Sequence, residues 1–266
     1  MTTVHTLASG SSGNALLVSC GATHLLVDAG ISCRRITTSL AALRLGLDDL
    51  DALLITHTHS DHIAGLQTML KKSSFPILSS GRVGRELAYR LAGVEQRFQE
   101  LEFCQSFQIG CLAVTAFPTS HDAPGSCGFR FDGPDGSAGV LTDTGYVTQE
   151  AADILPGVDL AVLEANHDVE ALRSGPYPYY LKVRILGSEG HLCNEDAARF
   201  AVTLAEAGAS ELVLAHLSKE NNTPAMARNA VETALSAAGL APALTVAPRD
   251  CLSEAYPVIR RAVCRR

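Results

Sequence analysis

The run His57-Thr58-His59-Ser60-Asp61-His62 follows directly on the apolar segment Ala52–Thr56 and precedes Ile63, Leu66, Met69 and Leu70 at helical spacing. That order constrains the fold more than any other feature of the chain. It sets four metal-ligand side chains at the junction between a buried strand and a helix, where α/β folds build their sites. Residues two apart on an extended chain face the same way, so His57 and His59 can grip one cation while Asp61 and His62 turn toward a second. Imidazole and carboxylate suit zinc, manganese and iron alike. Ser60 is placed to cap the following helix, and Lys71 and Lys72 suit its C-terminal dipole. The bland alternative, solvated histidines on a surface loop, fits poorly with a run that closes a buried strand.

Further strands are expected at 15–20 and 24–28 across a Gly-Ala turn, so that a meander opens the fold, and at 76–79, 98–102 and 111–117. A pair at 126–132 and 137–143 flanks a Gly-Pro-Asp-Gly turn, and two more strands are expected at 159–163 and 211–215. Helices are expected after Ser32, at 81–92, from Asn194 as N-cap to about 207, and from about 223 to 237. The segment LLVDAG (25–30) followed by LLITHTH (53–59) is echoed by GVLTDTG (139–145) followed by LVLAHLS (212–218). Each time an Asp ends one strand and a His ends a later one, as in two stacked αβ halves, although the match is too short to count as a repeat.

At 266 residues, 47% hydrophobic and 18% charged, the chain suits one compact α/β domain over 1–266. A net charge of −7 argues against a broad electrostatic grip on nucleic acid, so any phosphate contact is local. There is no basic flank with an apolar stretch behind it, and no apolar run of roughly 18 residues, so a cytoplasmic protein without a membrane partner is expected. Eight cysteines, Cys20, Cys33, Cys104, Cys111, Cys127, Cys193, Cys251 and Cys264, are scattered without a C-x-x-C pair, and reduced thiols are expected.

Thr56-His57-x-His59-x-Asp61-His62 resembles the signature of the metallo-β-lactamase superfamily, and the rest of that pattern is similar in order: Asp28 in LLVDAG, His121 in PTSHDA, Asp143 in LTDTG and His216 in LAHLS. The resemblance implies a four-layer αββα sandwich that holds two divalent ions. His57, His59 and His121 would hold one, Asp61, His62 and His216 the other, and Asp143 would bridge them, with Asp28 bonding the surroundings. An aspartate at the bridging position points to phosphodiesterases, thioesterases and lactonases rather than antibiotic cleavage. The segments LASGSSGN (7–14), LEANHD (163–168), GPYPYYLKVRILGSEGHLCN (175–194) and HLSKENNTP (216–224) resemble the YycJ/WalJ-like branch, whose members are regarded as DNA exonucleases acting from the 5′ end. Cys193 stands where that branch leads one to expect Ser.

Tyr180, Lys182 and Arg184 form an aromatic and basic mixture that can stack bases and neutralise phosphates; the competing reading is a packed helix with solvated cations. Ser11, Ser12 and Asn14 belong to a small polar loop that can approach a phosphate closely, or is an ordinary turn. RNA-processing relatives carry a Glu-His pair that protonates the leaving oxygen. Glu164 and His191 resemble it, with His167 as rival acid. Residues 144–215 are too few to add a β-CASP clamp between the bridging Asp and the last His. The implied reaction is in-line attack on phosphorus by a water that two ions have deprotonated, with Asp61 positioning it. A small-molecule thioesterase or lactonase on the same ions, and a non-catalytic metal-stabilised DNA-binding module, are the rivals. The pattern leaves the metal and the oligomeric state open.

Overall fold

The computed structural model describes residues 1–260. One seven-stranded sheet runs β14-β1-β2-β3-β4-β5-β6, with β1 Thr2–Ala8, β2 Ala15–Cys20, β3 Thr23–Val27, β4 Ala52–Leu54, β5 Ile77–Ser79, β6 Phe98–Glu100 and β14 Tyr256–Val258. The other runs β13-β12-β11-β10-β9-β8-β7, with β7 Ser106–Ile109, β8 Leu112–Pro118, β9 Cys127–Asp132, β10 Ser137–Leu141, β11 Leu160–Glu164, β12 Glu211–Ala215 and β13 Ala243–Val246. In each sheet an antiparallel portion passes into four parallel strands, β3 to β6 and β10 to β13. Helices follow as α1 Cys33–Ala42, α2 Ser60–Ile63, α3 Leu66–Leu70, α4 Gly81–Arg90, α5 Gln149–Ile154, α6 Val169–Ser174, α7 Tyr179–Leu186, α8 Asn194–Glu206 and α9 Pro224–Ala237.

Strand alternation explains the layering. Leu25, Val27 and Leu54 point inward with Val114, Phe129, Phe131, Val140, Val162 and Val213, so the two sheets share one core. The intervening Leu26, Leu53 and Ile55 face outward and pack with Ile36, Leu40, Met69, Val83 and Leu87 of α1, α3 and α4. On the far side Leu163, Leu212 and Leu214 meet Phe200, Leu204, Val231 and Leu235 of α8 and α9. The expected αββα sandwich is what forms. Strands buried on both faces read as unbroken apolar runs, which is why they stood out in the sequence.

Four local expectations change. His59, not Ser60, stands at the N-cap of α2, and the expected single helix breaks at Gly65 into α2 and α3. A Cβ on Gly65 would sit 2.2 Å from the Ile31 carbonyl, so the chain crosses there too closely for any other residue. Cys193, not Asn194, is the N-cap of α8; Asn194 is the first helical residue, buried, and exchanges amide hydrogen bonds with Asn222 at 2.8 and 3.1 Å. The opening meander gains the strand β1, whose Thr- and His-rich sequence hid it. Finally, the expected strands over 52–56 and 137–143 end early, at Leu54 and Leu141. Cys20, Cys33 and Cys127 are buried small apolar groups, and the seven described cysteines are free thiols. Cys264 lies outside the described residues.

Candidate metal centre

The expected metal ligands, with Asp28 and Glu164, lie at or just beyond the C-terminal ends of strands. Asp28 follows β3, the His57–His62 run follows β4, His121 follows β8, Asp143 follows β10, Glu164 ends β11 and His216 follows β12. Asp28, Asp143 and His216 have φ of 61°, 57° and 56°. This left-handed conformation costs a non-glycine residue roughly 1–2 kcal/mol. Here it turns each side chain off the end of its strand into the gap between the sheets. The echo between the two halves of the sequence is thus a backbone fact, with Asp28 and Asp143 making the same bend in the two sheets.

Donor atoms of His57, His59 and His121 lie within 4.8 Å of one another, as do those of Asp61, His62 and His216. His59 Nδ1 and His121 Nε2 are 3.3 Å apart, about the edge of a tetrahedron with metal–nitrogen bonds of roughly 2.0–2.1 Å. Asp143 lies between the sets. Its Oδ2 is 3.4 Å from His62 Nε2, and its Oδ1 is 3.5 Å from His216 Nε2 and 3.8 Å from His121 Nε2. His57 Nε2, His216 Nε2 and Asp143 Oδ2 are buried without a hydrogen-bond partner among the described residues. Such orphaned atoms are costly unless a cation meets them, so the donor set fits divalent metal ions.

The outer nitrogens show how the ligands are aimed. A carboxylate or carbonyl only accepts, so the ring N–H must donate, which leaves the other nitrogen's lone pair for a cation. His62 Nδ1 donates to Asp28 at 2.7 Å, His216 Nδ1 to Glu164 at 2.8 Å, and His121 Nδ1 to the Gly190 carbonyl at 3.0 Å. The Thr56 hydroxyl donates to Asp28 at 2.8 Å and so accepts from His57 Nδ1 at 3.0 Å. Asp28 serves one half and Glu164 the other. Glu164, fully buried, also takes His191 Nδ1 at 2.8 Å and the backbone N–H groups of Thr144 and Leu192 at 3.0 and 3.1 Å. Sequence reasoning paired it with His191 alone; its hold on His216, and the part of Thr56, were missed.

Burial pulls the His62 imidazole pKa down, but Asp143, Asp28 and Asp61 outweigh that and raise it to about 9. His216 is likewise lowered by burial and raised further by Asp143, Asp61 and Glu164. Burial lifts Asp61 and Glu164, and the neighbouring histidines drive both well below the ordinary carboxylate range. A cation at His62 therefore has to displace a proton. Metal affinity is therefore expected to rise with pH from neutrality toward about 9, and metal uptake at pH 7 is expected to release protons. Calorimetry in buffers of different ionisation enthalpy reads this directly, and uptake without proton release would contradict the arrangement.

His191 has a side chain 19% exposed and a ring centroid 5.0 Å from that of His121 and 5.3 Å from that of His216. His167 is 1% exposed, neither of its ring nitrogens has a partner among the described residues, and burial lowers its pKa to about 4. Asn14 accepts from Gly10 N at 2.9 Å, and its Nδ2 lies 3.0 Å from His62 Nε2, so it both shapes its loop and borders the centre. Ser11 and Ser12 are exposed at the tip of that loop. The Arg249 guanidinium lies against Gly10, where a Cβ would meet Nη1 at 2.7 Å; this neighbour, brought from the far end of the chain, was not anticipated. Tyr180 is 74% exposed on α7. Lys182 is committed to the Arg173 and Gly175 carbonyls at 2.7 Å each, and Arg184 Nε donates to Asp122 at 2.5 Å. A groove of about 500 Å³ beside the centre is lined by Arg82, Phe103, His121, Asp122 and Glu189 among others.

Residues 23–217 match the Beta-lactamase superfamily domain. The chain belongs to the metallo-β-lactamase-fold superfamily. Within this superfamily it is 40% identical over 237 residues to the exodeoxyribonuclease WalJ of Streptococcus pneumoniae, covering 88% of each chain. It is 36% identical over 236 residues to the exodeoxyribonuclease YycJ of Bacillus anthracis, covering 88% of this chain and 89% of that one. These relatives place it in the YycJ/WalJ-like branch of metallo-β-lactamase-fold hydrolases. The metallo-β-lactamase-fold protein YhfI of Bacillus subtilis shares the architecture at a TM-score of 0.72 and 18% identity, covering 96% of this chain and 100% of that one. No helix among the described residues is long and apolar enough to cross a membrane.

Proposed function

We propose that this metallo-β-lactamase-fold hydrolase is a two-metal phosphodiesterase that removes nucleotides from the 5′ end of DNA. The observation that carries the reading is the joining of the two ligand sets to an acid–base pair. Asp143 lies between the sets, and its Oδ1 is 3.8 Å from His191 Nδ1, which Glu164 holds at 2.8 Å. His57, His59 and His121 would hold one ion and Asp61, His62 and His216 the other. Bound there, two divalent ions would supply Lewis acidity and an activated water for attack on phosphorus.

The chain's own residues do the rest. Asp61 and Asp143 orient and accept hydrogen bonds from the attacking water. Because His191 Nδ1–H is fixed on Glu164, its Nε2 is left to carry the proton that the departing oxygen needs. The burial and lowered pKa of His167 make it neutral at pH 7 and speak for His191 as the acid. The Ser11–Ser12 loop with the Arg249 guanidinium is a local seat for phosphate on an acidic protein. Tyr180 offers a face on which a base can stack, and Arg184 a cation beside the centre. The high identity to two exodeoxyribonucleases over most of their length supports DNA over a thioester or lactone. Metal-supplemented protein given 5′-labelled DNA, a thioester and a lactone in parallel is expected to hydrolyse DNA and release labelled nucleotide first. Turnover of the thioester or lactone alone would overturn the substrate assignment.

A further inference from the structure

Four of the five candidate histidine ligands have an outer nitrogen held by a protein oxygen: Thr56 for His57, Asp28 for His62, Gly190 for His121 and Glu164 for His216. The fifth, His59, is the most open, with a side chain 32% exposed. Its Nδ1 faces His121 Nε2, so the nitrogen left outside is Nε2. The acid placed there among the described residues is Asp122, whose Oδ1 is 3.5 Å from His59 Nε2 and 3.5 Å from His121 Nε2. As a metal ligand, with its Nδ1–H given to Gly190, His121 would present only a lone pair at Nε2, which would leave His59 as the donor to Asp122.

We propose that Asp122 is a positioning residue that holds the tautomer and ring orientation of His59 for metal binding, and that Arg184 on α7 holds Asp122 in place.

This rests on the reading of His57, His59 and His121 as one metal site. The 3.5 Å contact is long for a hydrogen bond. Ligation through Nδ1 would withdraw charge from the ring and make Nε2–H a stronger donor toward Asp122. Asp122 is prevented from drifting by three contacts. Arg184 Nε donates to Oδ2 at 2.5 Å, the Asp122 amide donates to the Glu189 carbonyl at 3.1 Å, and the neighbouring Ser120 hydroxyl donates to the Ser188 carbonyl at 2.8 Å. The segment 187–190 that receives these bonds also supplies the Gly190 carbonyl to His121. One short loop would thus orient two ligands of the same ion, and α7, which carries the exposed Tyr179 and Tyr180, is tied to Asp122 through Arg184.

Equilibrium titration of the full-length, chelator-stripped protein with Zn²⁺ against a chromogenic chelator tests this without reference to turnover. Wild-type protein is expected to bind two ions. Asp122→Ala is expected to weaken one of them by about 10- to 100-fold, the usual cost of losing an outer partner, and to leave the other unchanged. Asp122→Asn, which keeps an acceptor, is expected to restore part of the loss, and Arg184→Met to give a several-fold loss at the same site. Thermal unfolding of the stripped variants keeps misfolding apart from loss of aim, because a folded Asp122→Ala with two wild-type affinities would overturn the proposal. Equal weakening of both ions would also overturn it, as would tighter binding in Arg184→Met, which would make Asp122 a ligand. Failure of the wild-type protein to bind metal would instead remove the two-metal reading itself.

Discussion

Asp143→Ala is expected to lower metal-dependent hydrolysis by about a thousandfold or more, roughly 4 kcal/mol on the barrier. Among the described residues Asp143 is the one carboxylate placed between both ligand sets, and it is 2% exposed with Oδ2 unpartnered. Burial raises its pKa, and the His216 and His62 charges bring it below the ordinary range, so it stands ready as an anion between two cation positions. Asp143→Asn keeps the shape and removes the charge. It should lose somewhat less than the alanine variant while still failing to hold two ions tightly. Metal content by mass spectrometry, beside the rate, separates loss of an ion from loss of chemistry. Full metal-dependent turnover in folded Asp143→Ala would show that the carboxylate is structural.

Glu164→Gln is expected to damage stability, metal binding and turnover together. The native carboxylate accepts from His191, His216, Thr144 and Leu192 in a fully buried position. A glutamine can turn its carbonyl to only one pair of these donors, so its amide N–H groups must face the other pair. Leaving a buried charged network broken in this way typically costs about 3–5 kcal/mol, read as a fall in the denaturant midpoint. Since Glu164 aims His216, the second ion should bind about 10- to 100-fold more weakly. Since it also aims His191, turnover should fall further even at saturating metal. His191→Ala separates the metal and turnover effects: it should keep both ions and lose about 10²- to 10⁴-fold in turnover, with a smaller stability loss of about 1–3 kcal/mol for the buried carboxylate left one donor short. If His191→Ala keeps wild-type turnover and a His167 variant loses it, the acid has been assigned to the wrong residue.

Much of the centre was legible because its chemistry is local in sequence. The His57–His62 run carries its residue types and spacing within one strand-to-helix junction, whereas Asp143 and His216 were reached through the resemblance to the superfamily pattern, which their positions after strands fit. What was not legible depends on neighbours that only the fold supplies. Arg184 reaches Asp122 from a helix 62 positions away, Arg249 reaches Gly10 from the far end of the chain, and Glu164 serves two histidines from different segments. The single helix expected after Ser60 breaks because the chain crosses the Ile31 carbonyl at Gly65, a contact between segments that local helix preference does not show. β7 was missed because its Ser106–Ile109 sequence is largely exposed and has no buried alternation to read. Lys182 looked like a phosphate contact until its ammonium was found closing the turn between α6 and α7.

The central claim, that these histidines and carboxylates form a two-metal centre for DNA hydrolysis, is tested most directly by titrating chelator-stripped protein with Mn²⁺ or Zn²⁺ while release of 5′-labelled nucleotide from DNA is followed. Activity is expected to be absent without metal, to rise with added ion and to level off near two equivalents per chain. DNA hydrolysis that persists in excess chelator, or metal binding that never brings hydrolysis of DNA, would contradict it.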